Sequence, residues 1–183
     1  DVQIRLGDGD SSYVYGPFES PKPNAANGWW SPTIWDDEVD VELFAPRGLI
    51  DPNAAPRITQ VAYLNLGGGC NVTPGTTLAC HNDVNCQGFW GTDESRGVAL
   101  FYNIKDGDCL RWTGALLNRQ PNDFTPLFMT SNFACGTDSE ADSIEIYWEY
   151  KTSVCGGLVP TTPASQPRNL GAIRLKRHSE SDW

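Results

Sequence analysis

Residues 97–110 read GVALFYNIKDGDCL, and this stretch carries the clearest signal for the fold class. Its first half, from Val98 to Ile104, is a run of β-branched and aromatic residues that favours a strand. Asp106 and Gly107 follow, and an Asp-Gly pair between two β-prone runs is a strong signal for a tight hairpin turn. The stretch therefore predicts an antiparallel hairpin, and its aspartates need no functional explanation.

Strand signals recur along the chain, whereas helix signals are scarce. Clusters of glycine and proline separate the strand-like segments, in a chain with 18 glycines and 13 prolines. The other predicted strands are residues 2–6, 12–18, 37–44, 57–66, 143–150 and 171–177. One short helix is predicted within residues 113–124. The pattern predicts an all-β fold, an antiparallel β-sandwich or jelly roll with disulfide-stapled loops and little helix.

The length of 183 residues predicts a single domain over residues 1–183. Within it, the Pro/Thr-rich residues at about 158–170 predict an extended loop, and residues 178–183 predict a loose tail. The pattern Ile-Arg-Leu occurs near both chain ends, at residues 4–6 and 173–175. This likeness favours two adjacent strands of one sheet.

The charge of the chain excludes several classes of partner. A formal net charge of −10 repels the phosphates of nucleic acids and anionic membrane surfaces. No apolar run approaches the roughly 18 residues that a membrane span needs. The sequence begins at Asp1 without a methionine, which favours a secreted, extracellular protein whose signal peptide has been removed. The expected partner is a glycan or an extracellular protein, and the oligomeric state is left open.

The cysteines favour disulfides over a metal site. They are Cys70, Cys80, Cys86, Cys109, Cys135 and Cys155. Their number is even and no CxxC motif occurs, so three disulfides are predicted. We expect Cys86 to pair locally with Cys70 or Cys80, and the other three cysteines to form longer bridges. Asn71 begins an Asn-Val-Thr sequon, which predicts a glycosylation site and is a second sign of secretion.

A strongly acidic segment lies at residues 36–43. Its alternation on a strand places the carboxylates on one face and the valines and Leu43 on the inner face. The outward carboxylates are Asp36, Glu38, Asp40 and Glu42. A basic strand carrying Arg174 and Lys176 would neutralise them, and a metal or ligand role is the alternative.

Two adjacent tryptophans, Trp29 and Trp30, precede the acidic segment. On extended chain only one of them can face inward, so the other one is a candidate platform for stacking on a sugar ring, with Trp90 as a third candidate. The competing interpretation is that both cover a sheet edge or a loop.

No cofactor is expected, and calcium is the one ion that the sequence leaves open. Asp8, Asp10 and Glu19 occupy positions one, three and twelve of a calcium-loop-like window. Tyr13 stands where such a loop requires glycine, so a hairpin turn is the better interpretation.

Candidate catalytic groups are few. Glu145 and Glu149 lie on one strand face about 13 Å apart, too far to act as a pair, so each would need a partner such as Asp40 or Glu42. The alternative is an ordinary solvated sheet face. Nucleophilic catalysis has little support, because no G-x-S-x-G motif occurs and the histidines are only His81 and His178.

In composition the chain resembles the small, acidic, aromatic-rich, disulfide-bonded proteins that fungi secrete, and Lys176-Arg177 resembles a dibasic processing site. These features carry no catalytic residue over. The sequence thus predicts a secreted, non-catalytic binding protein that recognises a glycan or a surface component. Two alternatives are an effector or toxin-like protein that acts by protein contact, and a carboxylate-dependent polysaccharide hydrolase.

Overall fold

The computed structural model describes residues 3–7, 14–19, 30–35, 38–44, 57–62, 83–88, 93–121, 123–158 and 166–175. The chain divides into two compact units, residues 1–61 and 62–183, and each is described by itself. The expectation of a single domain stays a prediction. Among the described residues, no helix is both long and apolar enough to cross a membrane.

The first unit contains a three-stranded antiparallel sheet. Its strands are β1 (Gln3–Gly7), β2 (Val14–Glu19) and β3 (Asp40–Phe44), in the spatial order β2-β1-β3. All three strands were predicted, β1 and β3 from alternation and β2 from its aromatic and β-branched residues. Arg5 of β1 lies opposite Glu42 of β3 in the backbone register.

The apolar side of β3 is not the inner face that alternation predicted. Val41 is 48 % exposed and Val39 is 52 % exposed. The predicted strand 57–66 does not form over its described part, residues 57–62, which are mostly exposed and belong to no helix or strand; residues 63–66 lie outside the described residues. Alternation shows which side chains share a face, but it cannot show whether anything packs on that face.

The second unit contains a five-stranded, fully antiparallel sheet in the order β6-β5-β4-β7-β8. The strands are β4 (Val98–Lys105), β5 (Asp108–Leu117), β6 (Leu127–Met129), β7 (Glu145–Trp148) and β8 (Arg168–Leu170). With one five-residue helix, α1 (Asp138–Asp142), the described chain has an all-β fold, as predicted.

The predicted hairpin joins β4 and β5. Asp106 and Gly107 form its turn with φ values of 54° and 90°. Two positive φ values in a two-residue turn match the right-handed twist of the flanking strands. The hairpin is therefore confirmed, and its register pairs Lys105 with Asp108 and Val98 with Ala115.

The helix predicted within residues 113–124 is wrong, because residues 113–117 continue β5 and pair with both β4 and β6. The helix that does form, α1, begins at a capping box. The Thr137 hydroxyl accepts from the backbone N–H of Glu140, while the Glu140 carboxylate accepts from the backbone N–H of Thr137.

Both faces of the five-stranded sheet are packed. On one face, Phe101 and Ile146 pack with Ala99, Ala134 and Ile144. On the opposite face, the rings of Tyr102 and Tyr147 meet edge to face at 5.9 Å, and Tyr147 is fully buried. The continuous apolar run in β4 is thus explained by burial on both sides.

A buried amide ties the sheet to the turn that precedes α1. Asn103 of β4 donates from Nδ2 to the carbonyl oxygen of Ala134 at 2.7 Å, and its Oδ1 accepts from the indole N–H of Trp112 at 2.9 Å. Asn103 is buried, so these bonds replace the water that it loses on folding.

The C-terminal part of the sheet differs from the prediction. Strand β8 lies inside the predicted 158–170 loop, whereas residues 171–175, which were predicted as a strand, follow the sheet as irregular chain. Strand β8 pairs with β7, whereas β1, which contains the first Ile-Arg-Leu segment, pairs with β2 and β3. The two Ile-Arg-Leu segments are therefore not neighbours in one sheet. Arg174 forms an ion pair with Asp138 at 2.7 Å and donates to the carbonyl oxygen of Gly136. The pairing of Arg174 with the acidic strand stays a prediction.

Candidate functional site

A cavity of about 270 Å³ lies at the start of the five-stranded sheet in the second unit. Three segments form it: the 3-10 turn Val84–Cys86, the 3-10 turn Glu94–Gly97 with the first residue of β4, and the turn that follows β7. Its lining residues are Val84, Glu94, Ser95, Val98, Glu149, Tyr150 and Lys151. The cavity thus combines apolar walls with four polar side chains.

The turn after β7 shapes one wall of this cavity. Glu149 has a φ of 57°, in the left-handed region that costs free energy for a residue with a Cβ. The backbone N–H of Lys151 donates to the Glu149 carbonyl oxygen at 2.8 Å, which closes the turn. The Glu149 carboxylate is 3.3 Å from Nε of Arg96, so this carboxylate already has a cationic partner.

Ser95 and Lys151 meet in the cavity, 56 positions apart in the sequence. The Lys151 ammonium donates to the Ser95 hydroxyl oxygen at 2.7 Å. A serine–lysine pair can serve in acyl transfer, but only an uncharged lysine can take the proton of a serine. In the arrangement seen, the ammonium is the donor, and the contact positions Lys151.

Glu94 is the polar residue of the cavity in which a buried oxygen is not compensated by a hydrogen bond. Its Oε2 is buried and has no hydrogen-bond partner. Burial of a carboxylate oxygen without a hydrogen-bond donor costs free energy, and nearly all buried polar atoms in native proteins have a partner. Sequence reasoning missed Glu94, Ser95 and Lys151, because no local motif connects them.

A clasp next to the cavity joins residues 83–86 to residues 152–156. Asp83 accepts from the backbone N–H groups of Asn85 and Gly156, each at 2.9 Å, and from the Thr152 hydroxyl at 3.0 Å. These hydrogen bonds, led by the one from Asn85, hold the pKa of the Asp83 carboxyl below its usual range. The disulfide Cys86–Cys155 lies in the same clasp.

The disulfides differ from the prediction in two respects. Cys86 pairs with Cys155 across 69 residues, in place of the expected local bridge to Cys70 or Cys80. Cys109 and Cys135 are free thiols, so the expectation that all six cysteines are bonded is wrong for these two. Cys70 and Cys80 lie outside the described residues.

The free thiols lie on opposite faces of the sheet. Cys109 is opposite Ile104 and thus on the Tyr102 face, whereas Cys135 packs against the Phe101 cluster. The strands separate the two sulfurs, which explains why they do not pair with each other. Burial raises the pKa of Cys109 to about 11 and also raises the pKa of Cys135, so both thiols are protonated and weakly nucleophilic.

Two of the carboxylates proposed as catalytic groups, Glu145 and Glu149, form ion pairs with arginines. Glu145 is buried in β7 and accepts from Arg168 of β8 at 2.9 Å, while Glu149 binds Arg96. In the first unit, Asp40 and Glu42 are exposed on β3. Glu145 and Glu149 thus take part in ion pairs within the second unit, and a catalytic role for either of them stays a prediction.

Most of the other predicted site residues lie outside the described part of the chain. They are Trp29, Trp90, Asp8, Asp10, Asn71, His81 and His178, together with the side chain of Glu19. Trp30 is described and is partly buried. Within the described ranges, no three His, Cys, Asp or Glu residues cluster in a way that could hold a metal ion.

Comparison with known proteins identifies the class of this chain, which is protease-related. The chain belongs to the family described as lysyl endopeptidase, C-terminal domain, which matches residues 74–183 and includes the whole five-stranded sheet. Lysyl endopeptidase of Pseudomonas aeruginosa is 28 % identical over 142 residues, covering 73 % of this chain and 31 % of the relative. The chain thus spans about a third of the length of that relative. No solved structure gives a significant match.

This family membership corrects the function predicted from the sequence. The prediction of a non-catalytic binding protein for a glycan or a surface component is wrong, and so are its effector and polysaccharide-hydrolase alternatives. The comparisons indicate a protease-related protein instead. The resemblance to fungal secreted proteins was one of composition only. Aromatic content and acidity are shared by many secreted proteins, so they do not distinguish a binding protein from a peptidase.

Proposed function

We propose that this chain is part of a secreted endopeptidase that cleaves polypeptides at lysine residues. The observation that carries the proposal is the match of residues 74–183 to the lysyl endopeptidase family. A net charge of −10 favours encounter with basic polypeptides. The Cys86–Cys155 disulfide suits an oxidising, extracellular compartment.

The chemistry of peptide hydrolysis limits which residues of this chain can act as the general base. A protease with a serine or cysteine nucleophile commonly uses a histidine as general base, since imidazole accepts and returns a proton near neutral pH. This sequence contains two histidines, His81 and His178, and both lie within the family match. Any imidazole base that the chain supplies is therefore one of these two.

A chromogenic peptide assay tests the proposal. The assay uses the full-length protein that contains this chain, because the chain spans about a third of the length of its relative. Peptide anilides that end in lysine, arginine or alanine are compared. We expect the lysyl substrate to have a kcat/KM at least about tenfold above the others, a preference that contacts to a basic side chain can supply.

Two single variants, His81→Ala and His178→Ala, show which histidine acts as the general base. One of them should lower kcat by about 10³-fold or more, while the other serves as its matched control. Absence of lysyl cleavage would contradict the proposed activity. Full activity in both variants would show that this chain does not supply the base.

A further inference from the structure

We propose that the Cys86–Cys155 disulfide is a reversible redox switch: a dithiol in solution cleaves it while the protein stays folded, and the cleavage loosens two walls of the cavity. The inference concerns a bridge to which no regulatory role has been assigned. It goes beyond the proposed peptidase activity, because it holds whether or not the protein cleaves polypeptides.

Both cysteines of the bridge are exposed. Gln87 after Cys86 is exposed as well, and so are the two neighbours of Cys155, of which Val154 is 62 % exposed. A thiolate reduces a disulfide by direct attack on one of its sulfurs, so access to the bridge is the first requirement for reduction in the folded state. Exposed disulfides are accordingly the labile ones, whereas typical structural bridges resist reduction.

The bridge connects two of the three segments that form the cavity. Cys86 ends the 3-10 turn whose first residue, Val84, lines the cavity. Cys155 lies in the turn region after β7, shortly after the lining residue Lys151. The covalent link between these turns spans 69 residues of sequence. Because the bridge holds the two turns together, its cleavage permits the two walls to move apart.

Hydrogen bonds keep the clasp partly in place after reduction. Asp83 accepts from the Thr152 hydroxyl and from the backbone N–H of Gly156, the residue next to Cys155. Asn85 donates from Nδ2 to the Thr152 hydroxyl at 2.8 Å. These contacts link the same two turns as the bridge. The two thiols therefore stay near each other after reduction, and re-oxidation forms the same bridge.

The core of the five-stranded sheet does not include the bridge. Phe101 and Ile146 belong to β4 and β7, which pair directly with each other. Cys86 and Cys155 lie outside these strands, in two turns at the surface. Reduction should therefore act mainly on the clasp and the cavity and leave the sheet folded.

The chemistry is thiol–disulfide exchange with a dithiol as the co-reactant. One thiolate of the dithiol attacks a sulfur of the bridge, which forms a mixed disulfide and releases the other cysteine as a thiolate that takes up a proton. The second thiolate of the dithiol then attacks the dithiol's own sulfur in the mixed disulfide and releases the second cysteine. Two electrons and two protons pass to the protein, and the dithiol becomes a disulfide.

Reduction kinetics of the native protein test the inference. The full-length protein that contains this chain is incubated with dithiothreitol, with and without guanidinium chloride, and the released thiols are alkylated and located by mass spectrometry. The Cys86–Cys155 bridge should be reduced in the native protein at a rate within about tenfold of its rate in denaturant, because the bridge is already accessible. A slower native rate would overturn the inference, since it would show that the fold protects the bridge.

Hydrogen exchange of the reduced protein shows where the structure loosens. Compared with the oxidised protein, exchange should accelerate at least about tenfold in peptides covering the two turns, residues 83–88 and 152–156, and less in peptides of β4 and β7. A smaller acceleration in the turns would overturn the inference. An equal acceleration in β4 and β7 would also overturn it, because reduction would then unfold the sheet.

Asp83→Ala and Asp93→Ala form a matched pair for re-oxidation. Each removes one carboxylate, but Asp93 is exposed and pairs with Arg96 outside the clasp. When oxidised glutathione replaces the dithiol, Asp83→Ala should re-form the bridge at least about tenfold more slowly than wild type, and Asp93→Ala at the wild-type rate. Equal rates in the two variants would overturn the reversibility of the switch. None of these measurements involves peptide cleavage, so failure of the switch and failure of the proposed peptidase are distinguishable.

Discussion

The two sheets of this chain differ in how deeply their strands are buried. In the three-stranded sheet of the first unit, Val41 of β3 stays about half exposed. In the five-stranded sheet of the second unit, Phe101 and Tyr147 are fully buried on opposite faces. The contrast shows that a β-pattern indicates which segments can form strands, whereas burial depends on what packs against the strand.

The difference follows the type of apolar pattern. Strand β3 alternates, so its sequence offers one apolar face at most. Strand β4 carries consecutive apolar residues from Val98 to Tyr102, so it has apolar side chains for both faces. A continuous run commits a strand to burial on two sides, and the flanking strands β5 and β7 complete that burial.

The largest expected effect is a cavity substitution in β4. Phe101→Ala removes a fully buried ring that meets Phe128 edge to face at 5.6 Å, so it should cost about 3 to 5 kcal/mol of unfolding free energy. Urea denaturation measures this cost.

The matched substitution in the first unit is Val41→Ala. Because Val41 is about half exposed, the loss should be about 1 kcal/mol or less. A comparable loss in the two variants would show that β3 has a packed inner face after all, and the contrast between the sheets would fail.

Removal of the Cys86–Cys155 bridge should have the next largest effect. The double variant Cys86→Ser, Cys155→Ser loses a link across 69 residues and should be destabilised by about 2 to 5 kcal/mol. Hydrogen exchange resolved by mass spectrometry should show faster exchange in peptides of residues 83–158 than in wild type. Residues 3–44 contain no cysteine, and equal acceleration there would contradict a local role of the bridge.

The smallest expected effect is the pH dependence of the stability that the Asp83 clasp contributes. Hydrogen bonds from Asn85 and Gly156 hold the pKa of Asp83 below its usual range, so the folded protein favours the ionised carboxyl. Its stabilising contribution is complete above the unfolded pKa of about 3.9 and is lost as pH falls through the lower folded pKa.

Asp83→Asn keeps the shape of the side chain and removes its titration. The difference in unfolding free energy between wild type and this variant should therefore be larger at pH 7 than at pH 3. A difference that stays constant with pH would show that ionisation of Asp83 does not contribute to the clasp.

Local sequence determined the parts of the fold that depend on near neighbours. The β4–β5 hairpin was predictable because Asp106 and Gly107 tolerate the positive φ values that the turn requires. Strands β1, β2, β3 and β7 were predictable because alternation and β-branched residues act within a few positions. The segment 113–117 misled the prediction, since its helix-compatible residues are drawn into β5 by pairing with β4 and β6.

The candidate site is formed by contacts between residues that are far apart in the sequence. Ser95 meets Lys151 from 56 positions away, and Asp83 meets Gly156 from 73 positions away. The tertiary structure also decided the disulfide, because six cysteines allow 15 pairings and spacing alone cannot choose among them. The physical reason is common to all three: a contact between distant residues is set by the strand order of the sheet, which brings the end of β7 beside the start of β4. Local sequence was enough to predict that the chain is acidic and all-β, and the packing of its strands set which charged side chains share a cavity.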